Sequence, residues 1–224
     1  MEYLALLKHI FVSNGRYMYI LKGLNFSVGV TLLAAVIGVV VGVLIALLRL
    51  SNKAFLEKIS IVYVDLIRGT PAVVQLMILA NIIFVGNLRN TPILIVAGLA
   101  FGLNSAAYVA EIIRAGIQGL DKGQMEAARS LGMSYSLAMK EIIIPQAIKK
   151  IMPALVSEFI TLLKETSIVG FIGGVDLLRS ANIITSQTYR GVEPLIAVGI
   201  IYLILTSIFT KLMRQVEGRM KNSD

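Results

Sequence analysis

Polar side chains interrupt the apolar stretch near residues 92–113 at a spacing that places them on one face of a helix. Asn104, Tyr108 and Glu111 stand at positions i, i+4 and i+7. Residues at these offsets lie on the same side of an α-helix. The set could therefore present an amide, a phenol and a carboxylate to one cavity, as a site for a small polar molecule requires.

A second apolar stretch, near residues 148–172, carries two acids on one helical face. Glu158, Thr161 and Glu165 stand at i, i+3 and i+7. Two carboxylates with hydroxyl and amide groups nearby would form a cage for an ammonium or guanidinium ion. The alternative is that Glu165 pairs with a basic neighbour and that Glu111 lies at the membrane surface. We favour a binding role for Glu158, which lies deeper in its stretch.

Arg68 could bind the opposite end of such a ligand. It is followed by Gly69, Thr70 and Pro71, which loosen the helical backbone. A guanidinium that faced a cavity there could bind a carboxylate through two parallel hydrogen bonds. The alternative is that Arg68 simply pairs with Asp65, three residues earlier on the same helix.

Charges at these depths are costly in a bilayer. An Arg, Lys or Asp at mid-membrane costs roughly 2.5–3.5 kcal/mol on insertion scales, so such residues need partners, water or a function. We therefore predict a substrate site between three apolar stretches, formed by Arg68, Thr70, Asn104, Tyr108, Glu158, Thr161 and Glu165.

The composition indicates that these stretches are membrane spans. Of 224 residues, 57% are hydrophobic and only 15% are charged, and the mean hydropathy is +0.82. Soluble domains rarely carry so little charge. We predict an all-α, polytopic membrane protein that forms one domain over residues 1–224, with an interfacial helix near 1–20. The predicted spans are 24–48, 59–85, 92–113, 148–172 and 194–213.

Stripes of small residues mark the first and third spans. They recur at every fourth position, as Ala34, Gly38, Gly42 and Ala46 in the first span and as Gly98 and Gly102 in the third. Such stripes let helices in a membrane approach each other closely. We assign these residues to packing rather than to chemistry.

Basic residues are distributed unevenly across the predicted spans. With five spans, thirteen Lys or Arg fall on one side of the membrane and seven on the other. Because Lys and Arg concentrate in cytoplasmic loops, we predict the N-terminus outside, the C-terminus inside and segment 114–147 in the cytoplasm. The same rule explains the net charge of +8 without a nucleic acid partner.

Several kinds of chemistry are excluded by residue types. The sequence has no Cys, and its single His, His9, has no acid or second His at ligand spacing. Disulfides and thiolate nucleophiles are therefore excluded, and we predict no metal site and no catalytic residue. No Gly-x4-Gly-Lys-Ser/Thr pattern occurs, so ATP would have to bind to another chain.

The polar segment between the third and fourth spans predicts a short rigid helix. Asp121 or Gly123 can begin it, and Gly132 is a natural left-handed terminator. Ser134 can then cap a second helix that runs toward Pro145.

The surface of this short helix suits contact with another protein. Glu126, predicted in its first turn, suits the positive end of the helix dipole. Ala127 and Ala128 form helix well and have little bulk, so a partner can approach closely. We assign partner contact to Gly123, Glu126, Ala127, Ala128 and Gly132; the alternative is an ordinary surface helix.

This segment resembles the cytoplasmic EAA loop of permease subunits in ATP-binding-cassette (ABC) importers, which docks on a separate ATPase. The resemblance is carried by Glu126-Ala127-Ala128, Gly132 and the Ile142-to-Pro145 segment, in which Ile144 replaces the usual Leu. Four further stretches resemble the polar amino acid uptake permeases of the histidine, arginine and glutamine type: Arg68-Gly69-Thr70-Pro71, Asn104 to Glu111, Lys164 to Ser167, and Tyr189 to Pro194.

The resemblance implies the type I importer permease fold, without enzymatic activity or a cofactor in this chain. It implies that a cytoplasmic ATPase dimer binds ATP and Mg, and that a second permease subunit, identical or homologous, completes the pathway. It also implies an extracytoplasmic binding protein that delivers a polar amino acid, and a location in a prokaryotic inner membrane. The acids of the fourth span favour a cationic amino acid.

Two other functions compete with this interpretation. A secondary transporter or channel could work alone, although such transporters often contain two related halves, and we find no internal repeat. A membrane enzyme ranks last, because the sequence has no Cys, no His-Glu-x-x-His and no convincing Ser–His pairing.

Overall fold

The chain folds into helices of very unequal length. The computed structural model describes residues 2–85 and 90–221, and no strand occurs within them. The α-helices, in chain order, are α1 (Glu2–Leu7), α2 (Tyr17–Arg49), α3 (Ala54–Arg68), α4 (Ala72–Val85), α5 (Ile93–Gln118), α6 (Lys122–Ser130), α7 (Tyr135–Ala138), α8 (Ile144–Glu165), α9 (Leu177–Thr188) and α10 (Val192–Lys221). Wider π turns occupy Lys8–Val12 and Met139–Ile143, and 3₁₀ turns occupy Ser13–Gly15 and Thr166–Ile172.

Within the described residues, three of these helices are long enough and apolar enough to span a membrane. They are α2, α5 and the Val192–Leu212 part of α10, and the bent pair α3–α4 makes a fourth if it is one broken span. The predicted span at 148–172 corresponds to α8 and the 3₁₀ turns after it. The Lys and Glu residues of α8 make it more charged than the other spans, so it is not recognised as a span by composition.

Helices α2 and α5 pack closely along the stripes of small residues. Ala34, Gly38, Gly42 and Ala46 are all buried on α2. A methyl group added at Gly42 would lie 2.7 Å from Val109 Cβ on α5. The packing role predicted for these stripes is therefore confirmed, and α5 is held at a fixed distance from the first span.

The second span is broken into two helices. Helix α3 ends at Arg68, α4 begins at Ala72, and the two axes are bent by 104°. Gly69 caps α3 by donating its N–H to the Asp65 carbonyl at 2.9 Å, and Pro71 cannot continue the hydrogen-bonding of α3 because it has no N–H. The helical backbone that was expected to loosen at residues 69–71 is sharply bent there.

Helix α5 extends further than predicted. The expected span ended near residue 113, but the helix continues to Gln118. Arg114 therefore lies inside α5 and not in the following loop. Its position one turn after Glu111 brings the two side chains together.

The N-terminal segment packs against α9. Ile10 is fully buried in a cluster with Leu177, Ala181 and Ile184 of α9. Arg16, only 6% exposed, donates to the His9 carbonyl at 2.5 Å and so ties the segment down. The interfacial location of residues 1–20 stays a prediction.

The close approach of α2 and α5 can be tested by adding one methyl group. In Gly102→Ala the new Cβ would lie 2.6 Å from Ile37 Cβ, and overpacking of this kind costs about 1–3 kcal/mol. We expect a lower unfolding midpoint for the purified protein in detergent. Gly199→Ala is the matched control, because Gly199 is exposed on α10 with nothing within 4 Å of its added Cβ. Equal midpoints for the two variants would contradict this account of the packing.

Candidate functional site

An amide network closes the break in the second span. The Gln75 side chain donates from Nε2 to the Ile67 carbonyl at 2.7 Å, to the Thr70 carbonyl at 3.1 Å and to Thr70 Oγ1 at 2.7 Å. Asn104, only 3% exposed, donates from Nδ2 to Gln75 Oε1 at 2.9 Å. Backbone carbonyls freed by the bend are thus satisfied by a side chain, as a low-dielectric surrounding requires. The network connects predicted site residues Thr70 and Asn104.

Arg68 lies next to this network with its charge incompletely paired. Its guanidinium is 5.4 Å from the centre of the Tyr108 ring, within cation–π range. Its NH1 is 4.0 Å from Glu111 Oε1, which is too long for a hydrogen bond. Glu111 is instead held by Arg114, through Nε at 2.9 Å and NH2 at 2.5 Å. The alternative pairing of Arg68 with Asp65 is wrong, since no ion pair joins them within the described residues.

Glu158 faces a cavity that is lined by none of Arg68, Asn104 and Tyr108. Its Oε1 accepts a hydrogen bond from Ser105 Oγ at 2.8 Å. Both residues line a cavity of about 280 Å³, otherwise apolar, between α2, α5, α8 and α10. Phe159 and Phe209 close one side, with ring centres 5.0 Å apart.

Two predicted residues lie outside this arrangement. Thr161 is exposed and donates to the Ser157 carbonyl of its own helix at 3.0 Å. Glu165 is the last residue of α8 and makes no hydrogen bond or ion pair within the described residues.

The predicted residues therefore fall into two groups. Thr70 and Asn104 are joined through Gln75 beside Arg68 and Tyr108, whereas Glu158 bonds to Ser105 and lines a cavity of its own. Thr161 and Glu165 make no hydrogen bond or ion pair with either group within the described residues.

Three residues that bond to the polar side chains described above were missed by the sequence analysis. They are Gln75, Ser105 and Arg114. Gln75 gave a usable signal, because an amide within the apolar run 72–85 is costly without a role. Ser105 and Arg114 gave weaker ones, since a Ser in a membrane helix and an Arg at its end are common.

The EAA helix begins and ends as predicted. Asp121 caps α6 by accepting the Gly123 N–H at 2.9 Å. Gly132 adopts a left-handed φ of 85°, which favours glycine. Ser134 caps α7 through the Leu137 N–H at 3.2 Å. That second helix, α7, then continues through the π turn and Pro145 into α8 as unbroken helical backbone, whereas α6 is separated from α7 by the turn at Gly132.

The two faces of α6 have different surroundings. Ala127 and Glu126 are exposed, but Ala128 is buried against this chain's own helices. The expectation that both alanines form an open surface is therefore wrong for Ala128. Glu126 also lies beyond the first turn, because α6 starts at Lys122. The exposed face is extended by Leu131, of which 85% is accessible.

The described residues contain no group of three or more His, Asp or Glu side chains that could hold a metal ion. The chemistry available in the cluster is ionic and hydrogen-bonding recognition of a ligand.

The family described as "Binding-protein-dependent transport system inner membrane component" matches residues 38–222, which is most of this chain. The chain belongs to this family. The permease interpretation is thereby confirmed, in preference to a secondary transporter that works alone.

Curated relatives of this permease include amino acid transport proteins. It is 42% identical over 210 residues to the arginine transport system permease protein ArtQ of Bacillus subtilis (strain 168), covering 92% of this chain and 94% of that protein. It is 36% identical over 207 residues to a putative glutamine transport system permease protein GlnP of Rickettsia bellii (strain RML369-C), with 92% and 94% covered.

Solved structures agree with the predicted fold. The permease matches a chain of a crystal structure described as an amino acid ABC transporter with histidines, with a TM-score of 0.85 and 46% identity over 93% of this chain and 98% of that one. It also matches the inward-facing MetNI methionine ABC transporter, with a TM-score of 0.78 and 19% identity over 93% and 99%; at that identity the likeness concerns the fold alone. The all-α importer permease fold is confirmed.

The amide network of the permease can be tested at Gln75. Gln75→Leu removes three hydrogen bonds across the break and the acceptor of Asn104, and each lost bond costs about 0.5–1.5 kcal/mol. We expect a lower unfolding midpoint and weaker transport. The control is Asn81→Leu on the same helix. Its exposed amide donates to the Met77 carbonyl of its own helix at 2.8 Å and makes no other hydrogen bond within residues 2–85 and 90–221. If Asn81→Leu were as damaging as Gln75→Leu, the bridging role would be refuted.

Proposed function

We propose that this permease is the membrane subunit of an ATP-driven importer for a polar amino acid, and that it prefers a cationic one. The observation that supports the proposal is a pair of opposite charges on α3 and α8, two helices that pack against α5. The guanidinium of Arg68 is incompletely paired, and the carboxylate of Glu158 faces a cavity. An amino acid offers a carboxylate to the first and, when cationic, a positive side chain to the second.

The neutral groups of the cluster fit the same ligand. Asn104 and Thr70 are already joined through Gln75, so their geometry is set before a ligand arrives, which lowers the entropic cost of binding. Tyr108 supports the Arg68 guanidinium with its ring. Thr161 and Glu165 belong to the proposal as residues of the outer edge of the path.

ATP hydrolysis in this proposal belongs to a separate ATPase dimer that binds ATP and Mg. Support comes from the absence of a P-loop in the sequence and from the exposed surface of α6, formed by Gly123, Glu126, Ala127, Leu131 and Gly132. Movement of α6 would be transmitted through α7 to α8, the helix that carries Glu158.

A second permease subunit and an extracytoplasmic binding protein complete the proposed importer. One chain encloses only part of a path, and paths are commonly lined by equivalent elements around an axis. The family description names binding-protein-dependent transport, which supports delivery of the substrate by a binding protein.

The proposed orientation places the N-terminus outside and both α6 and the C-terminus in the cytoplasm of a prokaryotic cell. It rests on the thirteen-to-seven asymmetry of Lys and Arg. Labelling of a cysteine introduced at Gln124 by reagents applied to one side of the membrane measures it.

The substrate site can be tested by removing one charge at a time. Glu158→Gln keeps the shape and removes the charge; losing a charge-assisted hydrogen bond costs about 1.5–3 kcal/mol. Arginine binding to the purified complex should therefore weaken about ten- to a hundredfold, and Arg68→Gln should weaken it as much. Asp65→Asn is the control, an exposed acid on the same helix as Arg68.

The two variants separate the site from its preference. If correctly assembled Glu158→Gln and Arg68→Gln complexes bound and transported arginine as well as the parent does, the site would be refuted. If Glu158→Gln left arginine binding unchanged while Arg68→Gln weakened it strongly, the result would support the site and refute the cationic preference.

Coupling can be tested at Gly132, where φ is 85°. Valine is strained in this conformation, whereas Asn tolerates it. We expect Gly132→Val to insert normally but to lose substrate-stimulated ATP hydrolysis or co-purification of the ATPase. Gly132→Asn should behave like the parent. Full stimulation in the Gly132→Val complex would show that the turn after α6 has no coupling role.

A further inference from the structure

One oxygen of Glu111 faces two arginines. Glu111 Oε1 accepts a hydrogen bond from Arg114 NH2 at 2.5 Å, while Arg68 NH1 stands 4.0 Å from the same atom. Arg114 also donates from Nε to Oε2 at 2.9 Å. Glu111 is therefore held in a two-bond fork by Arg114 and makes only a long ion pair with Arg68.

Arg114 is itself fixed on its far side. Its NH1 donates to Gln118 Oε1, one turn further along α5. The fork and its anchor are thus formed by residues of α5 alone. An arginine held at two places presents its donors in a rigid geometry that a carboxylate matches.

Arg68 is left available by this arrangement. Its side chain is 42% exposed, it contacts the Tyr108 ring, and within the described residues its guanidinium makes no hydrogen bond. A direct bond to Glu111 would require the distance to fall from 4.0 Å to about 2.8 Å. A small rotation of the Glu111 side chain would suffice if Arg114 did not hold it.

We propose that Arg114 is a positioning residue that keeps Glu111 from capturing Arg68, so that Arg68 stays free for the carboxylate of a ligand. The inference rests on the proposed function only in naming the ligand as an amino acid. The competition between Arg68 and Arg114 for Glu111 belongs to the protein alone and can be measured without any ligand.

The ligand-free test follows the reactivity of Arg68. The purified complex is treated with the arginine-specific reagent p-hydroxyphenylglyoxal, and modification of Arg68 is followed by mass spectrometry. Arg114→Gln releases Glu111, which then pairs with Arg68, so the modification rate of Arg68 should fall several-fold. Adding Glu111→Gln to Arg114→Gln removes the competing carboxylate and should restore the parental rate. An Arg68 rate that Arg114→Gln leaves unchanged would overturn the proposal.

Binding of two ligands that differ in one group completes the test. Arginine should bind about tenfold more weakly to the Arg114→Gln complex, a difference of ~1.4 kcal/mol. It should bind to the double variant within about twofold of the parent. Agmatine, which lacks the carboxylate, should bind to all three complexes alike. Weak arginine binding that Glu111→Gln fails to rescue would mean that Arg114 contacts the ligand or merely stabilises α5, and would overturn the proposal.

The two readouts also separate this inference from the function on which it rests. If Arg68 reactivity responds as expected but arginine binding does not depend on Arg68, the positioning role stands and the proposed ligand site is wrong. If arginine binding depends on Arg68 while its reactivity ignores Arg114, the site stands and the positioning role is wrong.

Discussion

The close contact between α2 and α5 is the constraint from which the rest of the arrangement follows. A methyl group at Gly38 would lie 3.0 Å from both Cβ and Oγ of Ser105, so the first span touches the Ser105 side chain. Ser105 in turn donates to Glu158 at 2.8 Å. Packing in a membrane relies on small residues, because lipid tails supply no hydrophobic force that favours one helix over another. Helix α5 thereby becomes a fixed support, and its other positions are free to carry Asn104, Tyr108 and Glu111.

The broken second span provides the partners of those side chains. A helix bent by 104° leaves backbone carbonyls without donors, which a bilayer tolerates only where protein or water satisfies them. Gln75 does so, and by the same contacts it connects Thr70 to Asn104. The bend also places Arg68 at a helix end beside Tyr108. One break therefore explains both the opened backbone and the incompletely paired cation.

Much of this arrangement could be predicted from periodicity and residue type. The small-residue stripes, the turn at Gly132 and the caps at Asp121 and Ser134 depend on local rules, and local rules are visible in a sequence. The sequence did not show which acid lies nearer to the Arg68 guanidinium. Asp65 on α3 and Glu111 on α5 were both candidates, and the choice between them depends on the bend of the second span. The burial of Ala128 was missed for the same reason, since it depends on helices later in the chain. The amide bridge of Gln75 required knowing that α3 and α4 turn back toward α5.

Uptake by oriented vesicles tests the central claim most directly. The permease is reconstituted with the proposed ATPase and binding protein, and labelled arginine uptake is measured with ATP supplied on one face at a time. The account predicts uptake only when ATP is on the face that carries α6, and none from the permease alone. Arginine uptake by the permease alone, without ATP or ATPase, would contradict it and support a transporter that works by itself.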